Sequence, residues 1–187
     1  MMPSLSEASS AASAAGQKPA ARPRHFTGTV RAGSPADLDA LVALESGAFS
    51  HDRLSRRSFT RFIASPRARL IVAESGQMLC GYALLLFRRG SGAARLYSLA
   101  VEKTSEGRGL GSTLLRAAED AARRGGAGAM RLEVGVGNTH AARLYRKSGY
   151  RVVDQLPAYY EDGEDAWRLQ KALAVPGHAT RAVRGAQ

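Results

Sequence analysis

EGRGLGSTLL, residues 106–115, places Gly107, Gly109 and Gly111 between a strand-like run, Leu96 to Val101, and an apolar run at helical spacing. Glycine is about 1 kcal/mol less favourable than alanine inside a helix, so three of them where a helix begins need a reason. Either the chain makes a tight turn, or bare backbone N–H groups at a helix N-terminus form a cradle for an anionic phosphate. Spacing removes two nucleotide readings. A P-loop requires lysine before the Ser/Thr, and Gly111 is followed by Ser112 with no lysine near; a dinucleotide fingerprint requires G-x-G-x-x-G, and here the pattern is G-x-G-x-G.

Outward from this stretch the chain alternates. TGTVRAG reads as a short strand. SPADLDALVALESGAF reads as a helix with Ser34 as N-cap, Pro35 at its first position and Leu38, Leu41, Val42 and Phe49 at helical spacing. LSRRSFTRFIAS puts Leu54, Phe59, Phe62 and Ile63 on one face of a second helix closed by Pro66. RLIVAES and MLCGYALLLFRR are strands joined at Gly76 and Gln77, which is hairpin spacing, and ARLYSLAVEK is a third strand. The helix after the glycines carries Leu110, Leu114, Ala117, Ala118 and Ala121 and stops at RGGAG. AMRLEVGV, NTHAARLYRKSG, YRVVDQ and DAWRLQKAL follow as strand, helix with Asn138 as cap, strand and strand. The order β-α-α-β-β-β-α-β-α-β-β is an α/β (α+β) arrangement with a mixed sheet.

Length and composition bound the rest. A chain of 187 residues, 44% hydrophobic and 23% charged, holds one folded domain. Residues 1–24 are Ala/Ser/Pro-rich and poor in large apolar side chains, and 175–187 are alike; both read as disordered tails around a domain at 25–174. The longest apolar run, Tyr82 to Phe87, is too short for a bilayer, so no membrane partner is expected. Cys80 is the sole cysteine, which excludes an internal disulfide and a cysteine metal site, and a cytoplasmic home is expected. The net charge of +11 invites a nucleic-acid partner, but the arginines are spread over every element and aromatics are only 6%, so that reading is disfavoured.

Downstream, LEVGVGNTHAARLYRKSGY carries Glu133 on a strand, a cap at Asn138 and Tyr145 on the following helix. By residue type alone Glu133 suits either a solvated strand face or a base, and Tyr145 either a core stripe with Ala141, Leu144 and Ser148 or a site. Taken with the glycine stretch, these residues resemble the GNAT superfamily of acetyl-CoA-dependent N-acetyltransferases, with its R/Q-x-x-G-x-G/A and N-x-x-A-x-x-L-Y motifs, over about residues 28–173. LYSLAVEKTSEGRGLG, LEVGVGN and YYEDGEDAWRLQKAL look most like the RimI-like branch, the ribosomal-protein alanine acetyltransferases.

The resemblance implies a GNAT-type, mostly antiparallel sheet of about six to seven strands flanked by about four helices. It also implies direct transfer of acetyl from acetyl-CoA to a primary amine without a metal. The implied catalytic pair is Glu133 as general base and Tyr145 as general acid. Implied coenzyme contacts are Leu99, Ala100 and Val101 on the strand, Glu106, Gly107, Arg108, Gly109, Leu110, Gly111 and Ser112 at the cradle, and Asn138 at the pantetheine arm. Tyr159 and Tyr160 would wall the acceptor slot, with the acids Glu161, Asp162, Glu164 and Asp165 drawing in a cationic amine. Two departures stand out: Glu106 occupies a place usually held by arginine or glutamine, and LPAYY lacks the common arginine-rich lead-in. The acceptor expected first is a protein or peptide N-terminal α-amine, with a lysine side chain or small-molecule amine next, and the enzyme is expected as a monomer or homodimer. A coenzyme-sensing module without turnover is the rival that Glu106 invites.

Overall fold

The computed structural model describes residues 25–49 and 53–173; the two stretches read as tails lie outside the described residues. A seven-stranded sheet is formed by β1 (Thr29–Ala32), β2 (Ala68–Ser75), β3 (Met78–Phe87), β4 (Ala93–Val101), β5 (Ala129–Gly135), β6 (Arg151–Leu156) and β7 (Ala166–Ala172). Its order is β1-β2-β3-β4-β5-β7-β6, and every neighbouring pair is antiparallel except β4 and β5. The helices are α1 (Leu38–Ala48), α2 (Arg56–Ala64), α3 (Leu110–Arg124) and α4 (Thr139–Lys147). Strand count, helix count and element order agree with the expectation from the sequence.

Local chemistry accounts for the ends of these elements. The turn between β2 and β3 uses Gly76 at φ 63°, pairing Ser75 with Met78. Helix α1 starts later than its N-cap suggests. Ser34 and Asp37 form a reciprocal capping box around a 3₁₀ turn, Pro35–Asp37, and the α-helix proper begins at Leu38. Ser55 caps α2 through Ser58 N–H at 3.1 Å.

Apolar residues lie on both faces of the sheet. On one, Leu110, Leu114, Leu115, Ala118 and Ala122 of α3 meet Ile71, Leu85, Leu96, Met130 and Leu132. On the other, Leu41 and Leu44 of α1 and Phe59 of α2 meet Leu70, Val72, Tyr82, Leu84 and Ala100, with the Phe59 ring edge-on to Tyr82 at 5.4 Å. Burial of this kind is the main favourable term in folding, at roughly 25 cal/mol per Å² of apolar surface.

Two irregularities open the middle of the sheet. Leu84 pairs with Ser98 and Leu85 with Leu96, so Tyr97 is an extra residue, a β-bulge that bends β4. Beyond it, β4 and β5 part. They pair only at Ala93–Arg95 with Ala129–Arg131, and the remaining halves diverge toward the N-termini of α3 and α4. That divergence makes the cleft.

Candidate active site

Strand alternation determines which main-chain groups face the gap. Glu102 N–H donates to Cys80 O of β3 at 2.8 Å. Successive residues of a strand turn their peptide groups to opposite sides, so Ala100 also faces β3, whereas Leu99 and Val101 face the parted β5. Leu99 and Val101 therefore present unpaired N–H and C=O groups to an extended ligand, as a free sheet edge does. Ala100 does not: its side chain is buried beneath the α1/α2 layer.

At the end of β4 the chain passes through a 3₁₀ turn, Lys103–Ser105, and the glycine stretch. Gly107 and Gly109 have φ of 72° and 76°, and a Cβ at either would stand in open space. This left-handed conformation is one that other residues adopt at a cost. Gly109 is the N-cap of α3. The first intrahelical bond runs from Thr113 N–H to Gly109 O at 3.0 Å, so the N–H groups of Leu110, Gly111 and Ser112 precede the ladder and are free for a ligand. Leu110 offers only its backbone, because its side chain is buried in the core. The Glu106 carboxylate is exposed, and Arg108 is half-buried, with its carbonyl accepting Phe26 N–H at 2.9 Å. Left-handed glycines, open space above them and free helix N–H groups fit a pyrophosphate.

The cleft itself is about 510 Å³, a size usual for a small-molecule site. Its walls include Phe49 and Leu54 beside α1 and α2, Ser98 and Leu99 on β4, Glu133 on β5, Asn138 and Tyr145 on α4, and Tyr159 and Tyr160 between β6 and β7. The expected catalytic pair and both expected wall tyrosines are thus brought together from separate elements.

Glu133 is 5% exposed and held on both oxygens. Arg95 Nε donates to Oε2 at 2.7 Å and Arg168 Nε to Oε1 at 3.0 Å. Arg168 stands opposite Glu133 in the β5–β7 register, and Arg95 also donates to the Tyr159 hydroxyl at 2.5 Å. Tyr145 is 7% exposed with its ring edge-on to Tyr150 at 5.9 Å. Burial, then the nearby Tyr160, pushes the Tyr145 hydroxyl well above the ordinary tyrosine range, so it keeps its proton at neutral pH. Asn138 caps α4 through its side-chain oxygen, which accepts Ala141 N–H at 3.0 Å, leaving its amide nitrogen to donate elsewhere.

The acidic segment also has a structural part. Glu164 accepts Gly137 N–H at 2.7 Å, and its carboxylate lies so close over the β5–α4 turn that a Cβ at Gly135 would sit 2.5 Å from it. Asp165 accepts Ala158 N–H and the Gln155 amide, both at 2.9 Å, and Asp162 accepts Glu164 N–H at 3.0 Å. Three of the four acids are therefore braces for the tyrosine loop. Sequence reasoning also missed Arg95, Arg168 and a buried carboxyl, Glu45, on the cleft wall. The last had a visible signal: Glu45 follows Leu41 and Leu44 on the core-facing stripe of α1.

A parallel strand pair that parts beside a bulge, a glycine-capped helix and a carboxylate–tyrosine pair thus meet in one cleft. Residues 38–150 match the Acetyltransferase (GNAT) family, and the chain belongs to that family of acetyl-CoA-dependent enzymes. It is 33% identical over 152 residues to the N-alpha-acetyltransferase RimI of Mycobacterium tuberculosis, covering 79% of this chain and 94% of that protein. The ribosomal-protein-S18-alanine N-acetyltransferase of Escherichia coli superposes with a TM-score of 0.73 at 24% identity over 82% of this chain and 98% of the other. Salmonella typhimurium yncA, whose structure holds its cofactor acetyl-CoA, gives 0.69 at 23% identity, covering 80% and 95%.

Proposed function

We propose that this acetyltransferase acts on the N-terminal α-amine of a protein or peptide. The observation that carries the reading is the Tyr159–Arg95–Glu133 linkage, which makes the loop that would receive a chain end and the carboxylate that would receive its amine one unit. The similarity to the mycobacterial N-alpha-acetyltransferase supports it. So does acidity: an α-amine has a pKa of about 8 against about 10.4 for lysine, so far more of it is neutral at physiological pH.

Acetyl-CoA supplies a thioester carbonyl. The N–H groups of Leu110, Gly111 and Ser112 would hold its pyrophosphate, Leu99 and Val101 would pair with its arm, and the Asn138 amide would donate to it. Glu133 keeps one lone pair on each oxygen after its two arginine bonds, and those would attract and orient the acceptor ammonium. Tyr145, protonated throughout the neutral range, would deliver a proton to the departing thiolate.

The test is a peptide with an N-terminal alanine and an internal lysine, incubated with acetyl-CoA and fragmented by mass spectrometry. Acetyl on the α-nitrogen is expected. Acetyl on lysine alone would assign the enzyme to side chains, and no acetyl on this or other peptides would turn the search to small amines.

A further inference from the structure

Both oxygens of Glu133 are already engaged, by Arg95 at 2.7 Å and Arg168 at 3.0 Å, in charge-assisted bonds of the stronger class. A second carboxyl lines the same cleft, and no salt bridge to it is found among the described residues. Glu45 is 2% exposed; its Oε1 accepts Leu54 N–H at 2.8 Å and its Oε2 accepts the Tyr82 hydroxyl. Tyr82 in turn lies 2.7 Å from Ser98 Oγ.

The direction of these bonds follows from counting hydrogens. A tyrosine has one hydroxyl proton. Tyr82 is fully buried, and burial, then Glu45, holds its hydroxyl far above the usual range, so it stays protonated and donates to Glu45. Ser98 must therefore donate to Tyr82, which leaves the Ser98 lone pairs to accept. Ser98 is half-exposed on the cleft wall, next to Leu99.

We infer that Ser98, Tyr82 and Glu45 form a proton exit that takes the acceptor's proton off its nitrogen and into the wall of the cleft. This rests on the acetyltransferase reading above. The acceptor N–H bond breaks as a bond to Ser98 Oγ forms; the Ser98 proton passes to Tyr82 Oη and the Tyr82 proton to Glu45 Oε2. The nitrogen keeps the electron pair with which it attacks, serine and tyrosine end with one proton each, and Glu45 ends as a carboxylic acid that returns the proton to solvent by the reverse path; the second proton, lost from nitrogen after attack, balances the one that Tyr145 gives to the thiolate. Ser98 is the member that touches substrate, and Tyr82 and Glu45 act through it. Burial pushes the Glu45 carboxyl above its ordinary value, against the Tyr82 hydroxyl, Leu54 N–H and Arg53 of the α1–α2 connection, which pull it down; Tyr97 of β4 helps to keep the Tyr82 hydroxyl raised. A raised carboxyl is the better proton acceptor near neutrality.

The experiment measures kcat/KM for an alanyl peptide across pH 6 to 9 in the wild-type chain, Glu45→Gln, Ser98→Ala and the double variant, with melting temperatures for each. A variant lacking the exit depends on amine that is already neutral, so its deficit should shrink about tenfold per pH unit up to the amine pKa. The double variant should be no slower than the worse single variant. A peptide beginning with trifluoroalanine, whose amine is far less basic, should restore both single variants to within about threefold of wild type, because no proton needs removing before the nitrogen attacks. Should Glu45→Gln fail to fold, Ser98→Ala alone carries the comparison. A deficit constant with pH, multiplying deficits, or no rescue would overturn the exit while leaving wild-type acetylation intact. No turnover by the wild-type chain would overturn both readings.

Discussion

Arg95 Nε meets Glu133 Oε2 at 2.7 Å, while a terminal nitrogen of the same guanidinium holds the Tyr159 hydroxyl. Arg95 thus ties the cleft carboxylate to the loop proposed to wall the acceptor. Replacing it with alanine removes a charge-assisted bond from a nearly buried carboxylate, a loss of about 1.5–3 kcal/mol, or roughly 10- to 100-fold. That loss is expected in kcat/KM for the peptide. Acetyl-CoA affinity by titration calorimetry should change by less than about threefold, since Arg95 lies outside the glycine cradle; equal losses in both would make Arg95 a support of the whole domain.

Tyr145→Phe separates chemistry from binding. The ring keeps its contact with Tyr150, so the melting temperature should hold. Loss of a general acid is expected to lower kcat about 100-fold or more, with acetyl-CoA affinity unchanged. Because burial raises the Tyr145 hydroxyl, its proton is retained from pH 6 to 9, and no loss of activity in that window should trace to its ionisation. An unaffected kcat in the phenylalanine variant removes its acid role.

Element order was legible because apolar periodicity and glycine stops are local signals: the Gly76 turn, the Asn138 cap and the helix after Gly109 all lie where the sequence placed them. The cleft was legible only through motif residues. Glu133 could be picked out by type and spacing, but its two arginines could not, since Arg168 reaches it through the β5–β7 register and Arg95 through the β4–β5 junction. Register is a tertiary property. The bond of Glu164 to Gly137 N–H, 27 residues away, was hidden from the sequence for the same reason. Arg67 before β2 and the consecutive Arg88 and Arg89 after β3 line one shallow cavity at the far end of α3 from the cradle, a proximity that only the β2–β3 pairing creates.

The departure at Glu106 predicts a small effect. Its carboxylate is exposed, and the donors available to a pyrophosphate are backbone groups. Glu106→Gln should tighten acetyl-CoA by no more than about threefold, and less at high salt, as expected of a screened surface charge. Gly109→Ala should do far more damage. Gly109 sits at φ 76°. A side chain in that left-handed conformation costs roughly 1–2 kcal/mol. The first turn of α3 should shift to relieve it, so coenzyme affinity should fall about tenfold or more. Calorimetry of both variants distinguishes backbone recognition from side-chain recognition: a strong gain from Glu106→Gln would show the carboxylate pointing into the cradle.

Far from the cleft, Asp37 ties β1, the capping box and β2 together. Its two oxygens accept from Arg31 at 2.8 and 2.9 Å, Ser34 N–H donates to it at 2.7 Å, and Arg31 also bridges to Glu74. The Arg31 bond, assisted by Ser34, lowers the Asp37 carboxyl from 3.8 to about 2. A depressed carboxyl contributes stability that is fully present above its unfolded value, near pH 4, and is lost as pH falls toward 2. The contribution is roughly 1–2 kcal/mol. Asp37→Asn should therefore lower the urea midpoint at pH 7, and the difference from wild type should narrow between pH 4 and 2 and vanish below. A gap that persists unchanged at pH 2 would mean that Asp37 acts through capping geometry and not through its charge.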